Sequence, residues 1–198
     1  TCRYSISGFP SLYMGTALAL CVEESIQKSD RLFIGSKFQM NRSTRDNGNI
    51  NIQVMDLSIK PQDFLKVPGV DGNVFYSQQD GDDLAHRYLY WYPLIAACSF
   101  IRKSKNDPFS PEYIIPQLLM QWVREQYVKS SHHEELVGIR YFSCASRKAA
   151  ELGFNYVFPV SGKSEESLGN HYCSVLANAF ELTKPIIIGK DNLDFWQS

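Results

Sequence analysis

The stretch Cys2–Ser25 brings together Arg3, Tyr13, Glu23 and Glu24. A guanidinium can hold an anion with a two-pronged fork, an aromatic ring can stack on a planar ligand, and a carboxylate can stabilise developing positive charge. These groups must be held by local structure. Gly8 and Pro10 break the chain after Arg3, which leaves the arginine on its own extended piece. Ser11-Leu12-Tyr13-Met14 reads as a short apolar strand stopped by Gly15. From Thr16 the pattern becomes helical: Thr16 can cap the N-terminus, and Ala17, Leu18, Leu20, Cys21 and Val22 are mostly apolar. Glu23 and Glu24 then fall about two turns on, and either can be the acid.

The order arginine, Gly-x-Pro-x-Leu-Tyr, then an Ala-rich helix ending in Glu resembles the RES domain family. In that family the tyrosine follows the arginine by ten positions and the glutamate follows the tyrosine by eleven, as do Arg3, Tyr13 and Glu24. Gly138-Ile-Arg-Tyr-Phe-Ser143, followed by Asn155-Tyr-Val-Phe158, resembles the family's serine strand and the strand after it. The likeness covers residues 3–25 and 138–159 and leaves the middle of the chain unaccounted for. The family interval is what favours Glu24 over Glu23.

The resemblance implies an α+β chain of the ADP-ribosyltransferase-like kind, with two small mixed or antiparallel sheets around a cleft that holds NAD as substrate, without a metal. Cleaving the nicotinamide–ribose bond develops positive charge on the ribose. The implied roles are Arg3 on the pyrophosphate, Tyr13 stacked on the nicotinamide with its hydroxyl free, and Glu24 beside the ribose. Ser143 would orient a substrate group or one of these side chains, and Asn155 would add a polar contact. Family members act as toxins in bacterial toxin–antitoxin pairs, depleting NAD by hydrolysis or phosphorolysis or transferring ADP-ribose to protein. A protein antitoxin is thus an implied partner. The acceptor (water, phosphate or a side chain) is not written in the sequence.

Each residue also has a plainer reading. A lone arginine is usually solvated or ion-paired, Tyr13 between Leu12 and Met14 is core-like, and a serine after a strand is usually a turn residue. The sequence departs from the family too. Tyr4-Ser5-Ile6 follow Arg3 where an aromatic and an Asn or His are more common, and Cys144-Ala145-Ser146 separate Ser143 from Arg147. A rival reading is therefore a non-catalytic nucleotide- or partner-binding module, in which Glu24 points away from Arg3 and Tyr13 or is tied up in an ion pair. An RNA-active toxin is weaker still, because no His-Lys-Arg cluster is present.

The whole chain sets the bounds. At 198 residues, 44% hydrophobic, it reads as one domain with one core, with 60–111 as a possible insertion and a further N-terminal region expected upstream. A formal charge of -1 gives no basic field for nucleic acid. Five scattered cysteines without a CxxC, no signal peptide and no bilayer-length apolar run point to a reducing cytoplasm rather than a membrane. His132-His133 are adjacent, point different ways and make a poor metal pair. Oligomerisation stays open.

The expected elements follow from period. Leu32–Gly35 and residues 50–59 read as strands, and the aromatic block 82–103 as a helix capped by Asp82 or Asp83, kinked at Pro93, with Leu84, Tyr88, Trp91 and Ile95 packed inward. A second helix starts at Pro116 and buries Leu118, Leu119, Trp122 and Val123, with Arg124 and Glu125 toward solvent. Strands at Leu136–Phe142, Asn155–Val160 and Ile186–Ile188 and a helix at Tyr172–Glu181 complete the reading.

Overall fold

The computed structural model describes residues 2–25, 33–41, 51–60, 78–102, 109–129, 135–160 and 173–188. The histidine pair, and residues 61–77 and 103–108 of the possible insertion, lie outside them. The class is α+β, as expected.

Four β-prone runs form one mixed sheet: β1 (Ser11–Gly15), β4 (Asn51–Leu57), β5 (Glu135–Phe142) and β6 (Phe154–Pro159). Their order is β1-β6-β5-β4, antiparallel except for the parallel β4–β5 pair. Two short antiparallel pairs stand beside it. In one, β2 (Phe33–Gly35) pairs with β8 (Ile186–Ile188), and in the other β3 (Phe38–Met40) pairs with β7 (Phe180–Leu182).

Pleating sorts side chains onto two faces. The register puts Tyr13, Val157, Ile139 and Met55 in one row, and Gly15, Asn155, Tyr141 and Leu57 in the next. This face packs on α2 (Gln78–Cys98) and α3 (Ile114–Lys129) through Tyr88, Ile95, Cys98, Met120 and Val123. The other face, with Leu136 and Phe158, packs on Ala179, Val175 and Leu176 of α4 (Ser174–Ala179). There Gly138 lets the Phe158 ring lie against the strand, since a Cβ would sit 2.4 Å from its Cε1. Burying each large apolar side chain contributes about 1.5–3 kcal/mol.

The helices depart from the sequence expectations in instructive ways. α2 begins at Gln78, before Asp82, and runs through Pro93 without a break. Pro93 is exposed, so the carbonyl it leaves unpaired can be solvated on the outer side. Tyr88 and Ile95 are buried, but Trp91 is 41% exposed. In α3 the buried stripe is Pro116, Met120 and Val123, whereas Leu118 and Trp122 are 54% and 51% exposed. Pro116 lies within the first turn rather than at the first position. Arg124 is half-buried, its guanidinium 4.4 Å over the Phe9 ring. The last helix stops at Ala179, where the chain switches into β7.

Candidate functional site

α1 (Leu18–Ser25) buries Leu20 and Val22 and presents both acids at its end. Thr16 does not cap it. Its Oγ1 accepts from Phe154 N–H at 2.9 Å, and its own N–H donates to Phe154 O, which clamps the end of β1 to the start of β6. Gly153, at φ 148, makes room for this clamp, because a Cβ there would meet Thr16 Oγ1 at 2.4 Å. Gly15 makes room for α1 itself: its Cβ would lie 2.6 Å from Cys21 Sγ.

The two glutamates take different partners. Glu23 Oε1 accepts from Ser146 Oγ at 3.3 Å, and Oε2 lies 3.6 Å from Lys148 Nζ. Glu24 reaches the sheet instead. Its Oε1 accepts from Ser143 Oγ and, at 2.7 Å, from Asn155 Nδ2. Ser143 and Asn155 are buried while Glu24 is exposed, so the acid satisfies two polar groups that would otherwise be costly to bury and still meets solvent. Among the described residues Glu24 makes no salt bridge and its Oε2 has no hydrogen-bond partner.

Arg3 and Tyr13 take other partners than Glu24 does. Arg3 donates from Nη1 to Cys98 O at 3.1 Å and from Nη2 to Phe100 O at 2.9 Å, at the C-terminal end of α2. Carbonyls there lack helical partners, and a cation suits that end of the helix dipole. The Arg3 guanidinium carbon lies 5.0 Å from the Tyr113 ring centroid. Tyr13 packs against the core. Its hydroxyl is not free, since it accepts from Tyr4 N–H at 3.0 Å and bonds Ser5 Oγ at 2.9 Å.

Tyr141 and Cys144 feel the charges of both Arg3 and Glu24. Burial pushes both groups up, and on each the Arg3 charge works downward while the Glu24 charge works upward. Burial likewise pushes the Cys98 thiol up to about 11 and raises Cys21. These thiols stay protonated near neutral pH, which makes them poor nucleophiles. Among the described residues no group of His, Cys, Asp and Glu is placed to hold a metal, and no helix is long and apolar enough to cross a membrane.

Sequence reasoning did not find Tyr113 and Arg102, whose guanidinium lies 5.8 Å from the same ring centroid. No motif marks either residue.

No family model and no solved structure matches the chain. A protein of Bacillus subtilis (strain 168) described as "Putative toxin YopC" is 30% identical over 190 residues. The match takes in 94% of this chain but 39% of that protein, so the chain spans about two fifths of the relative's length.

Proposed function

We propose that this chain is the NAD-cleaving part of a toxin: an ADP-ribosyltransferase-like domain that breaks the nicotinamide–ribose bond. The observation that carries the proposal is the Glu24 carboxylate. It is fixed through one oxygen by Ser143 and Asn155, with the other oxygen unpartnered among the described residues and the side chain open to solvent. A carboxylate held this way is preorganised for a cationic, oxocarbenium-like transition state and need not reorient as charge develops. The relative described as a toxin and the RES-like spacing of Arg3, Tyr13 and Glu24 support the same reading.

In this mechanism Glu24 stabilises the ribosyl cation and accepts a hydrogen bond from a ribose hydroxyl. Ser143 and Asn155 hold it. Arg3 meets the pyrophosphate with the N–H groups it does not use on Cys98 O and Phe100 O. Tyr13 supplies a ring face, with its hydroxyl held by Tyr4 N–H and Ser5 Oγ. Nicotinamide leaves with the electron pair of the broken C–N bond, and an acceptor oxygen completes the ribose. An antitoxin covering Glu24 is the matching partner, and the cytoplasm, where NAD is plentiful, the matching compartment.

The test is product analysis after NAD is mixed with the protein, with and without inorganic phosphate. Nicotinamide with ADP-ribose indicates water as acceptor, and nicotinamide with a phosphorylated ADP-ribose indicates phosphate. A protein that binds NAD and never releases nicotinamide, even with cell extract as a source of protein acceptors, fits the non-catalytic module instead.

A further inference from the structure

We infer that the cavity between α3 and the segment 4–11 is a binding site for a small carboxylate with a flat apolar body, its charge facing Arg124. The site is separate from the residues proposed for NAD cleavage.

The cavity has a volume of about 280 Å³ and is closed by α3, the segment 4–11 and Pro159 at the end of β6. None of Arg3, Tyr13, Glu24, Ser143 and Asn155 lines it. It lies at the Ser11–Pro159 end of the β1–β6 pair, whereas Glu24 is held at the Gly15–Asn155 end. Hydrogen bonds tie its walls together. Gln117 Nε2 donates to Cys2 O at 3.1 Å and to Ser5 O at 3.3 Å, which fixes the start of the segment to α3. Val160 N–H donates to Pro10 O at 3.2 Å, which fixes its far end to β6. A site with fixed walls loses little freedom when it is filled.

The lining is mostly apolar, from Tyr4, Ile6, Phe9, Pro10, Met120 and Pro159. Arg124 is its one cation. Among the described residues that guanidinium has no ion pair, and its Nη1 is buried without a hydrogen-bond acceptor. Arginine stays charged at physiological pH, and partial burial weakens the solvent screening of that charge. The Phe9 ring, 4.4 Å from the guanidinium carbon, offsets part of the cost but supplies no acceptor oxygen. Glu125, the acidic residue of the lining, is exposed and has a partner of its own. A carboxylate in the cavity supplies the missing counter-charge through a charge-assisted hydrogen bond to the guanidinium. Size and lining define the rest of the ligand. A cavity of about 150 Å³ takes a benzene ring, so this one holds a ring with a short arm that ends in the carboxylate. A phosphate suits it less, because the second negative charge meets apolar walls.

The experiment is methyl NMR of the chain labelled at methionine and titrated with phenylpropionate, phenylpropionamide and acetate. Of the four methionines, Met14, Met40, Met55 and Met120, only Met120 lines the cavity. The expected result is that phenylpropionate shifts the Met120 methyl saturably and leaves the other three in place. Phenylpropionamide, which lacks the charge, should bind about tenfold more weakly, and acetate, which lacks the ring, should not move Met120. Arg124→Gln should weaken phenylpropionate about tenfold and leave phenylpropionamide unchanged, with Arg124→Lys in between. Phenylpropionate that leaves Met120 unmoved, or that binds no better than phenylpropionamide, overturns the inference. So does an Arg124→Gln chain that keeps the wild-type affinity. Should Arg124→Gln melt early, Arg124→Lys and the wild-type comparison of acid with amide decide the matter. Met120 reports on this site whether or not the chain releases nicotinamide from NAD, so the two readings fail separately.

Discussion

Asn155 Nδ2 donates to Glu24 Oε1 at 2.7 Å, across 131 residues of chain. Ser143 donates to the same oxygen. One acid at the end of α1 is therefore held by a strand residue of β6 and by the residue that follows β5.

Because the two donors share an acceptor, their removal should not be additive. Asn155→Ala and Ser143→Ala should each cost about 1–3 kcal/mol, since both side chains are buried. The double variant should differ from the summed losses by about 0.5 kcal/mol or more. Urea unfolding of the four proteins measures this. Strict additivity would mean that Glu24 does not couple them.

Gly15 gives a prediction about placement. Gly15→Ala puts a Cβ against Cys21 Sγ and pushes on α1, which carries Glu24. Overpacking of this kind costs about 1–3 kcal/mol, and activity should fall with it. Adding Cys21→Ala removes the sulfur and should restore both stability and activity. If activity stays lost in a refolded, fully stable double variant, the glycine has some role other than making room for the thiol.

Tyr13 gives a prediction about alkaline stability. Burial, opposed in part by the bonds from Ser5 and the Tyr4 backbone, pushes its hydroxyl up to about 12, against about 10 in an unfolded chain. The unfolded state gives up the proton first, so the stability from keeping this group neutral is fully present below about pH 10 and is lost as pH rises to about 12. Burial pushes Tyr4 and Tyr141 the same way. Tyr13→Phe should cost about 1 kcal/mol at pH 7, by leaving Tyr4 N–H without its acceptor, and should flatten the alkaline fall. Denaturant midpoints from pH 8 to 11.5 would show it. An unchanged slope would place the alkaline loss in other groups. Catalysis should survive in this variant, because the proposed role uses the ring.

Much of the sheet was legible in the sequence. Alternation at Ile52 and Val54, and the apolar run stopped by Gly15, mark strands because a pleated, half-buried surface demands that pattern. The phase of α3 was not legible. Leu118, Leu119, Trp122 and Val123 fit a helical stripe as well as Pro116, Met120 and Val123 do, and a helix apolar on both sides does not announce which side faces the sheet. For the site, spacing nominated the residues, but only the fold separates two adjacent acids. Glu23 turns to Lys148 and Ser146, whereas Glu24 turns to the strand ends. Tyr113 was invisible because its link to Arg3 is spatial, made across the end of α2.

The most direct test of the central claim is nicotinamide release from NAD by the wild-type chain beside Glu24→Gln. This substitution keeps the size and one carbonyl acceptor for Ser143 and Asn155 and removes the charge. The account predicts turnover by wild type and a loss of about a hundredfold or more in Glu24→Gln, with little change in melting temperature. Equal turnover by the two proteins would contradict it.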